Sequence, residues 1–147
     1  MADPGDVSEV ILGVTESDAH AVANKIIELR LAGLGYRVAN LGPCTSLDDF
    51  AEEFARRPDA VAVVIGGVNG HMCEDLRDLP ALRAIGRLAC PVVVGGNLAV
   101  NPGARPSAKR TLLGLGVDHV LDDLAELAPL LHALAGRRAP RESGSRV

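Results

Sequence analysis

An aspartate and a histidine two residues apart, Asp18 and His20, are the side chains in this sequence whose types and spacing could do chemistry. In extended backbone, residues i and i+2 project to the same side. A carboxylate so placed can accept a hydrogen bond from one imidazole nitrogen and leave the other free to bind. That arrangement fixes a metal-ligating imidazole and raises its basicity. A plainer reading stays open: Asp18 is also a suitable helix N-cap, and a histidine at the start of a helix can simply be exposed. Two glycine clusters stand further on. In Gly66-Gly67-Val68-Asn69-Gly70-His71, three glycines within five positions imply close backbone approach or positive φ angles. His71 itself reads most simply as a solvent-facing loop histidine. Gly95-Gly96-Asn97 follows an aliphatic run, and such a pair either admits a bulky ligand to the backbone or makes a tight turn. Neither GxGxxG nor GxxxxGK[ST] occurs, and no Ser or Cys occupies a nucleophile elbow with a triad.

The elements that must position these residues alternate along the chain. Val7 to Gly13 is a short aliphatic run. Asp18 to Leu34 carries Val22, Ile26, Ile27, Leu29 and Leu34 at helical spacing. Tyr36–Leu41 reads as a strand. Ser46 can cap a helix running to about Arg57, with Asp49 three residues on. Strands are predicted at Ala60–Ile65, Pro91–Val94 and Val117–Leu121. Helices are predicted at Cys73–Leu88 (interrupted at Pro80), Pro106–Leu115 and Asp123–Leu134. This β-α alternation predicts an α/β fold: a flavodoxin-like, five-stranded parallel sheet in the order 2-1-3-4-5 with helices on both faces. Ligands of such sheets bind beyond the carboxyl ends of the strands, at the switch point beside strands 1 and 3. Residues 14–22, 66–73 and 95–104 should therefore meet on one rim, with few charges. A receiver domain would need an acidic residue where strand 3 ends, and that place holds Ile65-Gly66.

Composition narrows the partners. The 147 residues predict one domain, spanning 8–136, between a flexible start (1–7) and a disordered, Arg-rich end (137–147). Aromatic residues make up 2% of the chain against 48% hydrophobic ones, so the core must be aliphatic, as buried parallel strands are. The same scarcity argues against single-stranded nucleic acid, which is bound on aromatic platforms. A net charge of −4 gives no general attraction to nucleic acid or to an anionic membrane. No apolar stretch approaches the roughly 20 residues that span a bilayer, and the first residues lack a signal-peptide pattern. Cys44, Cys73 and Cys90 lack CxxC spacing and read as buried or half-buried reduced thiols. A cytoplasmic setting is the default expectation.

The rim residues resemble a known family. They are similar to cobalamin-binding domains, most closely to the small (S or sigma) subunit of adenosylcobalamin-dependent glutamate mutase, also called methylaspartate mutase. The family pattern is D-x-H-x-x-G, then S-x-L, then G-G. Residues 11–26, with Asp18 and His20, resemble its first strand, ligand loop and helix start; Ser46–Phe50 resembles its second helix start, and Val93–Asn97 its fourth strand and loop. The likeness covers residues 8–134. It implies His20 as lower axial ligand of cobalt in place of the cofactor's dimethylbenzimidazole, with Asp18 holding the other imidazole nitrogen. It also implies that the detached nucleotide tail is bound beside strand 1 by Ala23, Gly66, Gly67, Val68, Gly95, Gly96 and Asn97. The implied cofactor is adenosylcobalamin, and the implied partner is a large TIM-barrel mutase subunit that brings the substrate. The chain would be the cofactor-binding subunit of an isomerase, inactive alone and without a catalytic residue of its own. Cobalt–carbon homolysis would start the rearrangement of glutamate to 3-methylaspartate. Two readings stand beside it: a corrinoid carrier for methyl transfer, and an interaction subunit of this fold without the cofactor. Carriers usually add a helical domain before the fold, and few residues precede strand 1 here. The sequence departs from the pattern at Ala23 (family Gly), at Gly66-Gly67-Val68 (family S-x-L), at Asn69 (family Tyr) and at Leu121-Asp122-Asp123 (family Pro-Gly-Thr-like turn). The cobalt-ligating half looks intact and the tail pocket altered.

Overall fold

The computed structural model describes residues 7–145, with side chains described from residue 7 to Arg137. Five strands, β1 (Glu9–Val14), β2 (Arg37–Asn40), β3 (Ala62–Gly67), β4 (Val92–Gly96) and β5 (His119–Val120), form one sheet. Its order is β2-β1-β3-β4-β5 and every pairing is parallel, as the β-α alternation predicts. Six α-helices connect and flank the strands: α1 (Val22–Gly33), α2 (Leu47–Arg56), α3 (Met72–Asp75), α4 (Leu79–Ala84), α5 (Arg105–Leu115) and α6 (Leu127–Ser145).

Strand alternation builds two core layers. Ile11, Val63, Ile65, Val92 and Val94 point to one face, where Phe50 of α2, Leu79 of α4 and Leu112 of α5 cover them. Val10, Leu12, Val64 and Val93 point to the other, against Leu31 of α1 and Leu127, Leu131 and Leu134 of α6. Fully burying one such side chain contributes about 1.5–3 kcal/mol. Caps fix two starts: the Ser46 hydroxyl accepts the Asp49 N–H at 3.1 Å, and Asp123 and Glu126 form a capping box before α6.

Several expectations need correction. Helix α1 starts at Val22, and Asp18 lies outside it in the preceding loop. The apolar spacing that reveals α1 is not its buried face: Val22, Ile26 and Leu29 are 77%, 50% and 62% exposed. Asn24, Ile27 and Leu31 turn inward instead. The interruption expected at Pro80 in the Cys73–Leu88 helix falls just before it: α3 ends at Asp75 and α4 starts at Leu79, with Pro80 in its first turn, where its missing N–H is harmless. Cys44 is exposed, with φ of 54°, while Cys73 is half-buried and Cys90 buried. Helix α6 continues past Leu134. The expected flexible start falls outside the described residues except for Val7; of the expected Arg-rich end, residues 137–145 continue the backbone of α6, while the side chains beyond Arg137 lie outside the described residues. Among those described, no helix is long and apolar enough to cross a membrane.

Candidate functional site

The loops after β1, β3 and β4 meet at the carboxyl edge of the sheet, and one carboxylate ties two of them. Asp18 is 1% exposed. Its Oδ1 accepts the His20 backbone N–H at 3.0 Å and faces His20 Nδ1 at 2.6 Å. Its Oδ2 accepts the N–H groups of Val68 at 2.6 Å and Asn69 at 3.0 Å, beyond β3. Burial pushes the carboxyl pKa up, but the N–H groups of Val68 and His20, the His20 side chain and Asn69 outweigh it and hold Asp18 at about 2. An ionised carboxylate only accepts, so in the neutral form of the imidazole Nδ1 carries the proton and Nε2 the lone pair. The His20 side chain is 70% exposed, so that lone pair is oriented yet accessible. Such a nitrogen is a metal ligand whose tautomer is set by its other hydrogen bond.

The rest of the rim is stitched around this pair. Ser17 donates to Asp75 Oδ2 at 2.7 Å, and Asn69 Nδ2 donates to Ser17 O at 3.1 Å. Asn97 donates through its N–H to Gly67 O at 2.8 Å and through Nδ2 to Val68 O at 3.1 Å. Asn97 thus holds the loop after β3 and lines neither cleft described below. His71 sits before α3, facing Glu74 at 3.2 Å, as a partly exposed loop histidine.

Beside His20 lie two adjoining clefts. The larger, of about 290 Å³, runs between α1 and the start of α6. Ala23 and Ile27 form one wall, Gly66, Gly67 and Val68 with Gly95 and Gly96 the floor, and Leu121, Asp122, Asp123, Leu124 and Leu127 the other wall. The smaller, of about 40 Å³, lies between β1 and α1 and is lined by Asp18, His20, Ala23, Asn24, Gly66, Gly67 and Val68 among others. The two share Ala23, Ile27, Gly66, Gly67 and Val68.

The floor glycines differ in what requires them. Gly96 has φ of +102°, and a Cβ there would lie 2.1 Å from Gly67 O. Gly66 faces open space, with nothing within 4 Å of an added Cβ. The missing hydroxyl of the S-x-L pattern therefore leaves room on the cleft floor.

The mouth is more charged than the sequence suggests. Arg105 donates to Gly96 O and Leu121 O, each at 2.9 Å, and to Asp122 Oδ1 at 3.3 Å. Hydrogen bonds from Lys109, then Arg105, hold Asp122 below the usual carboxylate range. Sequence reasoning did not select Arg105, Ile27 or Asn24. Ile27 was legible, four residues after Ala23 on one helix face. The role of Arg105 depends on the carbonyls of Gly96, at the end of β4, and Leu121, just after β5, and carbonyls carry no residue signature.

No protein-family profile matches the chain. It is 38% identical over 113 residues to glutamate mutase sigma subunit 1 of Haloarcula marismortui, covering 77% of this chain and 74% of that one. It is 33% identical over 139 residues to sigma subunit 2 of the same organism, covering 92% and 93%. Among solved structures, a cobalamin-binding protein from Desulfitobacterium hafniense superposes with a TM-score of 0.70 at 19% identity, over 87% of this chain. The chain spans 59% of that protein's length, and the likeness is one of fold.

Proposed function

We propose that this chain, which belongs to the family of glutamate mutase sigma subunits, is the cobalamin-binding small subunit of a carbon-skeleton mutase and offers His20 Nε2 as the lower axial ligand of cobalt. The observation that carries this reading is the Asp18–His20 pair: a buried, ionised carboxylate fixes Nδ1 and leaves Nε2 exposed. Among the described residues, no three His, Cys, Asp or Glu side chains cluster to hold a metal unaided. One oriented imidazole suits a metal that arrives with its other ligands in a macrocycle, where the protein's lever is the axial ligand and its hydrogen bond.

The residues fit such a group. The clefts start at His20 and continue over an aliphatic and glycine floor, a suitable bed for a displaced nucleotide tail. Ala23, Gly66, Gly67, Val68, Gly95 and Gly96 would line that bed, and Asn97 would hold its rim. When bound, adenosylcobalamin supplies radical chemistry through its cobalt–carbon bond. This chain's residues orient the axial nitrogen, keep its proton on Nδ1 and shield the tail from water. The exposed apolar residues Val22, Val68, Val100 and Leu124 each follow a strand's carboxyl end, the edge of the sheet that also carries the His20 loop. That collar is a face for a large catalytic subunit, with a TIM barrel above it. The substrate would lie on that subunit, and the reaction would be glutamate to 3-methylaspartate.

Electron paramagnetic resonance of cob(II)alamin with the chain, with and without its large subunit, tests the reading. Histidine nitrogen hyperfine structure is expected in the wild type and is lost in His20→Ala. Hyperfine structure surviving in His20→Ala, or no binding even with the large subunit, overturns it.

A further inference from the structure

Resting on the cobalamin reading above, we infer that the Asn24 side-chain N–H is a hydrogen-bond donor preset toward an acceptor atom of the cofactor's nucleotide tail. A backbone group fixes the orientation of this amide. Gly42 N–H donates to Asn40 at 2.9 Å, so the Asn40 atom facing it is the carbonyl oxygen and the other is the NH₂. That NH₂ donates to Asn24 at 2.7 Å and to Glu28 Oε1 at 3.1 Å. The Asn24 atom receiving it is therefore oxygen, which leaves Asn24 Nδ2 on the opposite side.

Asn24 is 7% exposed, and its Nδ2 has no partner among the described residues. It lines the narrow cleft beside His20, next to Ala23 and Gly66. Its neighbours on the inward face of α1 are Ile27 and Leu31. A leucine there would pack without an unsatisfied group, whereas a buried donor left unpaired is destabilising. Two hydrogen-bonded side chains from β2 and α1 hold the donor in place, so little ordering remains when an acceptor arrives. The other buried side-chain group without a partner among the described residues, Thr15 Oγ1, packs against Gly67 and lines neither cleft. The complementary chemistry is an oxygen or nitrogen acceptor on a tail that runs past His20 into the larger cleft.

Titrations with cobalamin and with cobinamide, which lacks the nucleotide tail, test this on the full chain. Asn24→Asp keeps the shape and the acceptor for Asn40 but turns the donor into an acceptor; Asn24→Ala removes both. Loss of one such hydrogen bond corresponds to about tenfold in affinity. Both variants should bind cobalamin about tenfold more weakly and cobinamide within about twofold of wild type. Equal weakening of both ligands means a structural role and overturns the inference, as does unchanged cobalamin affinity. A wild type that binds no cobalamin, alone or with the large subunit, overturns the parent reading and this one together, and the two failures are distinguished by that control.

Discussion

Replacing Asp18 by asparagine tests the logic of the site without any cofactor. The carboxylate accepts two hydrogen bonds on each oxygen, from His20 N–H and Nδ1–H on one and from Val68 and Asn69 N–H on the other. An asparagine offers one oxygen and one NH₂, which donates. If the NH₂ faces Val68 and Asn69, two backbone donors meet a third. If it faces His20, the backbone N–H loses its acceptor and Nδ1 must itself accept, so the ring proton moves to Nε2 and the exposed lone pair disappears. Either orientation breaks two charge-assisted contacts, each contributing about 1.5–3 kcal/mol. The depression of the Asp18 pKa from 3.8 to about 2 is a separate measure, corresponding to about 2.5 kcal/mol. Because the folded value is depressed, that stability is present above pH 3.8 and lost as pH falls through about 2. The two measures meet at about 3 kcal/mol, so Asp18→Asn should lose about 3 kcal/mol in urea unfolding at pH 8. Long-range proton–nitrogen NMR of the apo chain reads the His20 tautomer directly. Wild type should carry the proton on Nδ1, and the variant should show Nε2 protonation or a freed loop after β3. A wild type protonated on Nε2, or a variant with both stability and tautomer unchanged, refutes the reasoning.

The glycine floor and the acid stability give two more expectations. Gly96→Ala should lose at least about 2 kcal/mol, since positive φ and the Gly67 carbonyl both oppose a Cβ, while Gly66→Ser, facing open space, should stay within about 0.5 kcal/mol; equal thermal shifts for the two variants would contradict this. Hydrogen bonding to Arg57 outweighs burial and, with help from Arg56, holds Glu53 below its usual range, so its contribution is present above about pH 4.5 and lost as pH falls through its folded value. Glu53→Gln should weaken the fold at pH 7 and flatten the acid limb of a stability–pH curve; a parallel curve would rule that out.

The sheet order was legible because aliphatic runs and punctuating glycines carry it, and a parallel β-α chain admits few topologies. The Asp18–His20 pair was legible because both members lie in one loop. Three things were hidden for distinct physical reasons. The exposure of Val22, Ile26 and Leu29 is invisible to periodicity, which finds an apolar stripe but not what covers it. The second anchor of Asp18 is backbone, Val68 and Asn69 N–H, and backbone donors carry no residue signature. Asn24 reads as an ordinary polar position of a helix until Asn40, sixteen residues on, orients it.

Asp18 carries two roles that substitution of the residue cannot separate by affinity alone. Its Oδ2 bonds join the loop after β1 to the loop after β3, and its Oδ1 bonds set the imidazole. Loss of cobalamin binding in an Asp18 variant would follow from a slackened rim as readily as from a wrong tautomer. The two consequences act on different groups: a slackened rim alters the floor under the tail, whereas a wrong tautomer removes the axial nitrogen. A tail-less corrinoid is insensitive to the first and fully exposed to the second. Weakening of cobinamide in Asp18→Asn, set against its retention in Asn24→Asp, therefore divides the site into a cobalt-facing half at His20 and a tail-facing half at Asn24, both lining the cleft beside Ala23.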